Sequence, residues 1–280
     1  MDARWQTTED PSAFVTAAGE FLHARPASNS VLLTVSDRLV RGGARAYGGE
    51  RPLLGWWDGA EGDVAGAFVH TPPYALLLAA PAEAAAALGA QLASAGRELP
   101  GVNGEEHAAR AFADAFAGSA TVHQRHRLHR LGTFTPPDPP PPGRARVATA
   151  DDGALLEAWM RAFHAEAEPG GGDDVAGAVA DRLSYGGWTL WEHPRGTPVA
   201  VAGASPPIAG AVRIGPVYTP PEHRRRGYGG GVTAAVTAAA LARGAHEVLL
   251  FTDLANPTSN ALYRRLGYRE VEDRVMLVFA

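Results

Sequence analysis

The sequence predicts an α/β protein made of two successive units, on three observations. Apolar runs rich in branched residues alternate along the whole chain with alanine-rich stretches of helical period. A proline-dense stretch, Thr135-Pro136-Pro137-Asp138-Pro139-Pro140-Pro141-Pro142-Gly143, interrupts this alternation near the middle. The 280 residues suit two domains of about 140, each able to bury its own core. The expected units are residues 1–134 and 144–280, with 135–143 as an extended, semi-rigid polyproline linker.

In the first unit, Phe14, Ala17, Ala18, Phe21 and Leu22 share one face of a helix expected over 11–23. Strands are expected at 31–35, 52–57, 64–70 and 74–79, and helices at 82–95 and 105–116. The adjacent Trp56 and Trp57 face opposite ways on a strand, so both are read as core rather than as a pocket wall. His123, His126 and His129 have a spacing that would suit zinc on a helix. Yet 122–131 reads as a strand on which His126 points away from the other two, and no acid or cysteine joins them. A solvated basic strand without metal is expected there.

The second unit opens with a short strand at 144–148. Thr149-Ala150-Asp151-Asp152 then carries capping residues for a helix whose buried face is Leu155, Leu156, Trp159, Met160 and Phe163. Gly170-Gly171-Gly172 breaks to a second helix over 174–184, and 187–192 with 198–202 forms a hairpin around His193-Pro194-Arg195-Gly196. Further strands are expected at 211–214 resuming at 217–219, at 247–252, at 269–273 and at 275–279, with a long helix over 232–243.

The chemistry concentrates where the 217–219 strand meets that helix. Val217-Tyr218-Thr219-Pro220-Pro221-Glu222-His223-Arg224-Arg225-Arg226-Gly227-Tyr228-Gly229-Gly230-Gly231 contains Arg-x-x-Gly-x-Gly at a helix start. Missing side chains there let a bulky anion approach successive backbone N–H groups at the positive helix end. The pattern lacks the Gly-Lys-Ser/Thr of a Walker loop, since the chain has no lysine, and begins with arginine where a Rossmann turn begins with glycine. Downstream, Asn256-Pro257-Thr258-Ser259-Asn260-Ala261-Leu262-Tyr263-Arg264-Arg265-Leu266-Gly267-Tyr268 reads as a helix capped by Asn256, opened by Pro257 and ended by Gly267. Offsets of three, four and seven place Asn256, Ser259 and Tyr263 on one face.

Thr219-Pro220-Pro221-x-x-Arg224-x-x-Gly227-Tyr228-Gly229 resembles the coenzyme A pyrophosphate loop of the GNAT acetyltransferase superfamily, and 256–268 resembles the motif that follows it. The resemblance covers 144–280 and implies a mixed, mostly antiparallel central sheet flanked by helices. It implies cofactor contacts from Val217, Tyr218, Thr219, Arg224, Arg225, Arg226, Gly227, Tyr228, Gly229, Gly230, Asn256, Ser259 and Tyr263, with acetyl-CoA as cosubstrate and no metal. Residues 64–73, a small-residue strand running into Thr71-Pro72-Pro73, read like 209–221 without the glycine loop. The first half is thus read as a degenerate GNAT-like copy, as in tandem members; an unrelated α/β cap is the competing reading.

Acyl transfer from a thioester needs a donor for the tetrahedral oxyanion, an acid for the thiolate and a route for the amine proton. Gly215-Pro216 marks a strand bulge that would free the backbone of Val217 and Thr219 for carbonyl and pantetheine. Tyr263 aligns with the tyrosine that commonly protonates the thiolate in this superfamily. No single residue is placed as the general base: Glu166 or Glu168 could take the proton through water, His164 is a third option, a water chain alone would serve an amine that arrives neutral, and Glu222 and Asp253 are read as structural. Acids Asp151, Asp152, Glu157, Glu166, Glu168, Asp173, Asp174 and Asp181 outnumber Arg161 and Arg182 around a helical pair that in the family borders the acceptor, which suits a cationic amine as much as a solvated face.

Net charge is −5, with 11 arginines against 15 acids over 1–143 and 14 against 15 over 144–280, so neither nucleic acid nor an anionic membrane is an expected partner. The chain has no cysteine, which excludes disulfides, thiolate metal sites and a cysteine nucleophile. A polar start and the lack of a long apolar run lead to the expectation of a cytoplasmic protein, monomeric or homodimeric. The function expected is N-acetyl transfer to a primary amine of a small molecule through a direct-transfer ternary complex. A non-catalytic acyl-CoA sensor or scaffold is the alternative, and a protein N-terminus is a third possible acceptor.

Overall fold

The computed structural model describes residues 3–43, 46–47, 50–167 and 174–279. The chain forms two compact units, the first comprising Met1–Leu128, Asp253–Ala255 and Val271–Ala280, the second His129–Thr252 and Asn256–Glu270.

The elements of the first half are β1 (Arg4–Thr8), α1 (Pro11–Ala24), α2 (Ser30–Gly42), β2 (Leu53–Asp58), β3 (Val64–His70), β4 (Leu76–Ala79), α3 (Ala82–Ser94), β5 (Gly101–Glu105), α4 (Glu106–Phe116) and β6 (Thr121–Leu131). Strands β1 to β4 are antiparallel neighbours in sequence order, and β4 pairs parallel with β5. Leu76, Leu78, Phe68 and Val102 close a core against Leu88 of α3 and Phe112 of α4.

The second half runs β7 (Arg144–Val147), α5 (Gly153–Ala167), α6 (Val175–Ser184), β8 (Trp188–Glu192), β9 (Pro198–Ala204), β10 (Ala211–Tyr218), α7 (Tyr228–Ala242), β11 (Glu247–Asp253), α8 (Pro257–Arg265) and β12 (Tyr268–Val278). Again the first four strands are antiparallel neighbours and the next pair, β10 and β11, is parallel. Alternation along the strands feeds two layers. Ala200, Ala202, Val212 and Ile214 pack with Val232 and Val236 of α7, while Trp188, Leu190, Val201 and Tyr218 pack with Leu156, Met160 and Val179 of α5 and α6.

The order strand, two helices, three strands, helix, strand, helix, strand therefore occurs twice, from β1 to β6 and from β7 to β12. The repeat is real, but the sequence comparison is one strand out of register. Residues 64–70 are β3, whose place in the second copy is β9, so Thr71-Pro72-Pro73 stands where Ser205-Pro206-Pro207 stands. Small-residue strands look alike in composition, and only position in the order separates them.

Other differences have local causes. Residues 31–35 lie in α2, not in a strand: Leu32, Val35, Ser36 and Leu39 bury one helical face, and Thr34 Oγ1 folds back onto the Ser30 carbonyl at 2.9 Å. The polar start forms β1 because Trp5 is buried beside Trp57 and Phe68. Strand β5 escapes a composition reading because it is Gly-Val-Asn-Gly-Glu; a side chain at Gly101 would collide with the Leu277 carbonyl. Residues 268–278 form one strand rather than two, with Arg274 kept in it by bonds to Ser28 O, Leu78 O and Glu272.

The proline run has no regular secondary structure, and its end is docked: Trp191 Nε1 donates to Pro142 O at 3.0 Å. The last strands break the simple division at that run. Residues 129–131 of β6 belong to the second unit, and 271–278 of β12, antiparallel to β5, belong to the first. Strand β6 is a strand as expected, but not solvated throughout, since His129 is fully buried.

Candidate active site

Strand β10 carries the irregularity that its Gly215-Pro216 pair foreshadows. Ile214 lies opposite Ala204 and Val217 opposite Ala202, so β10 spends three residue steps where β9 spends two. Gly215 sits at φ +143°, a conformation only glycine adopts readily. The register with β11 ends at Ile214 opposite Leu250, while both strands continue, so the bulged backbone from 215 to 218 is parted from β11.

Beyond Tyr218 the chain turns sharply through Pro221–His223, and the Arg224 side chain closes the turn by donating Nε to the Thr219 carbonyl at 2.9 Å. Arg225 at φ +60° and Gly227 at φ +83° bend the backbone into the first turn of α7, where Gly227 is the N-cap. The N–H groups of Tyr228, Gly229 and Gly230 thus open α7 without intrahelical acceptors. Arg224, Arg225 and Arg226 are exposed around them, and Tyr228 is buried. A Cβ on Gly229 would come 3.3 Å from Thr219 Oγ1, one on Gly230 3.0 Å from Leu262 Cδ1, and one on Gly231 2.6 Å from Pro141 Cγ. Gly230 thereby brings the start of α7 against α8, while Gly231 serves packing rather than an anion.

Helix α8 is built as its punctuation implies. Asn256 Oδ1 accepts the Ser259 N–H at 3.1 Å, Pro257 occupies the first turn, and Gly267 at φ +98° terminates it. Along the shared face Asn256 is exposed, Ser259 half-buried and Tyr263 buried. Burial pushes the Tyr263 phenol up to about 12. Its ring lies edge-on to Tyr268, 6.1 Å between centroids, and the Tyr268 hydroxyl is bonded to Thr237 Oγ1 at 2.7 Å.

Glu166, at the end of α5, meets the loop from the other side. Its Oε1 accepts from the Tyr218 hydroxyl at 3.2 Å and its Oε2 from Arg224 Nη2 at 2.5 Å. Burial first, and the Glu166 charge next, raise the Tyr218 phenol above its ordinary value. Trp159 and Phe163 flank the Tyr218 ring at 6.3 and 6.4 Å. The sequence placed Glu166 and Arg224 in separate roles 58 residues apart and had no signal for their pairing. Glu168, Gly170, Gly171, Gly172 and Asp173 lie outside the described residues. Asp253 Oδ1 accepts the Ala255 N–H at 2.8 Å, and Glu222 is exposed in the turn.

The matching place in the first half differs in kind. Helix α3 is capped by Pro81, with Glu83 and no glycine in its first turn, which repels rather than holds an anion. There Arg274 Nη2 donates to Leu78 O of β4 at 3.2 Å. Among the described residues no cluster of three His, Asp or Glu could hold a metal ion, and no helix is long and apolar enough to cross a membrane.

The model of the FR47-like protein family matches residues 207–277, from the turn before β10 into β12. A mycothiol acetyltransferase of Thermobispora bispora is 28% identical, with 96% of each chain covered. A GCN5-related N-acetyltransferase of Sphaerobacter thermophilus superposes with a TM-score of 0.61 at 18% identity, covering 98% of this chain and 94% of its own. A tandem GNAT protein from the clavulanic acid biosynthesis pathway gives 0.54 at 14% identity, over 99% and 97%. The two structural likenesses are likenesses of fold.

Proposed function

We propose that this chain, a tandem-type acyltransferase of the GNAT superfamily, moves acetyl from acetyl-CoA directly to the primary amine of a small molecule, within a ternary complex held by its second half. The observation that carries the reading is the convergence of a bulged strand, an open helix start and a buried tyrosine in one unit. The first half is a degenerate copy, with Pro81 and Glu83 where the glycine loop would be.

In this reading the amides of Tyr228, Gly229 and Gly230 hold the pyrophosphate at the positive end of α7, assisted by Arg224, Arg225 and Arg226. The parted backbone of Val217, Tyr218 and Thr219 takes pantetheine as an added strand would be taken, and its N–H groups polarise the thioester carbonyl. Asn256 and Ser259 line the same path on α8. Attack by the neutral amine forms the C–N bond and a tetrahedral oxyanion; its collapse expels the thiolate. Tyr263, held protonated by burial, donates a hydrogen bond to the sulfur as charge develops there. The amine proton leaves through water toward Glu166, with Glu168 as the second carboxylate assigned to that route.

The test is release of free CoA thiol from acetyl-CoA across amines, amino acids, aminoglycosides, polyamines and peptides, alongside Tyr263→Phe. Amine-dependent release that collapses in the variant is the expected result. Calorimetric binding of acetyl-CoA without release on any acceptor would favour a sensor or scaffold instead.

A further inference from the structure

Arg182, in the last turn of α6, is a half-buried cation whose Nε is buried without a hydrogen-bond partner, and it forms no ion pair among the described residues. Its guanidinium carbon lies 4.5 Å from the centroid of the fully buried Trp188 ring. Two glycines make room for it. A Cβ on Gly187 would fall 2.6 Å from Arg182 Cγ, and one on Gly203 would fall 3.2 Å from Arg182 Nη1. The same point above Gly203 is 2.9 Å from the carbonyl oxygen of Gly215, the residue at the β10 bulge. The nearby Tyr185 hydroxyl is already committed to the Ala204 carbonyl at 3.3 Å.

A guanidinium carries five N–H donors and no acceptor, so a half-buried one with unspent donors suits an anion. The contact with the indole leaves guanidinium N–H donors for the two oxygens of a carboxylate. Arg182 Nη1 stands beside the bulge at which the proposed acyl transfer occurs. We infer that Arg182 is a specificity-determining residue that binds a carboxylate on the acceptor amine. The substrate class becomes amino acids or short peptides bearing a free carboxylate. This rests on the proposed acetyl transfer and narrows it.

The experiment compares each amino acid or dipeptide with its C-terminal amide, first in the wild-type protein, by thiol release and by calorimetric titration into protein saturated with CoA. The expected preference for the acid is about 10- to 100-fold in kcat/KM. Arg182→Met, which keeps the apolar stem over Trp188, brings that ratio toward unity through KM for the acid, and Arg182→Lys restores part of it. Equal turnover of acid and amide in the wild type overturns the inference, as does a loss in Arg182→Met that falls equally on both. Carboxylate-dependent binding without turnover on any amine sinks the proposed reaction and keeps the site; turnover blind to the carboxylate sinks the site and keeps the reaction.

Discussion

His129 Nε2 lies 3.2 Å from Thr252 Oγ1, and both groups are buried in the second unit. Thr252 gives its own proton to Asn260 Oδ1 at 2.6 Å, so the histidine is the donor in the first bond. Asn260 Nδ2 in turn donates to the Asn256 carbonyl at 2.8 Å. A chain of hydrogen bonds thus runs from β6 through β11 into the first turn of the helix that carries Tyr263. Thr252→Val removes the hydroxyl that donates to Asn260 Oδ1 and should cost about 1–3 kcal/mol in urea unfolding, with Thr252→Ser recovering most of it. A fragment starting at Arg144 lacks His129 altogether and should show no cooperative transition; a sharp one would show the chain to be dispensable.

Two glycines of the loop should separate stability from binding. An alanine at 231 places its methyl 2.6 Å from Pro141 Cγ and 3.2 Å from two Trp191 ring atoms, so Gly231→Ala should destabilise by about 1–3 kcal/mol. At 229 the nearest atom, Thr219 Oγ1, is 3.3 Å away and on a side chain that can give way. Gly229→Ala should therefore keep stability within about 0.5 kcal/mol and weaken acetyl-CoA binding instead, read by calorimetry.

Local punctuation is what the sequence made legible. Asn256, Pro257 and Gly267 act within a turn of their own positions, and so α8 stands where they put it. The same holds for Gly227 at the start of α7. Failures lie where distant partners decide. Helix α2 has the branched residues of a strand but is governed by its buried face, and β5 carries Gly101 where β12 passes close and Gly104 where β4 does. Nothing local in 121–131 or 268–278 announces that each strand ends in a different unit from the one it starts in. The Glu166–Arg224 pair and the berth of Arg182 are likewise made by tertiary approach, and no spacing rule reaches them.

Asp152 should make stability depend on acid. It accepts Arg146 Nη1 and Nη2 at 2.7 Å each and the Thr149 N–H at 2.8 Å, and Arg146 foremost holds its carboxyl down to about 2. Because the unfolded chain takes up this proton first, near 3.8, the contribution is complete above about pH 4 and disappears as pH falls toward 2. Its size is on the order of 2 kcal/mol. Asp152→Asn should lose that amount near neutral pH, and its deficit against the wild type should shrink near pH 3. A deficit independent of pH would mean that the carboxylate is not the source.

Arg224 should matter to the ligand and hardly to the fold. Its ion pair with Glu166 leaves side chains 43% and 44% exposed, where solvent screening reduces such pairs to less than about 1 kcal/mol. Arg224→Gln is expected to unfold within about 0.5 kcal/mol of the wild type and to raise the acetyl-CoA Kd by about 10- to 100-fold. An unchanged Kd would remove Arg224 from the phosphate cradle.

Tyr263 should act without titrating. Its phenol is pushed up to about 12 by burial alone, so it remains protonated throughout any practical assay range and contributes no descending limb to the rate profile below about pH 10. An acid that weak does not surrender its proton to a thiolate outright; it stabilises the sulfur by hydrogen bonding as negative charge builds, which is an interaction absent from the bound thioester. Tyr263→Phe removes only that oxygen from a packed ring. The fall should therefore appear in kcat, by about 10²- to 10⁴-fold, with the acetyl-CoA Kd and the position of the pH profile unchanged. Weakened acetyl-CoA binding with kcat intact would make the ring a packing surface for pantetheine, and the thiolate would then have to leave by solvent alone.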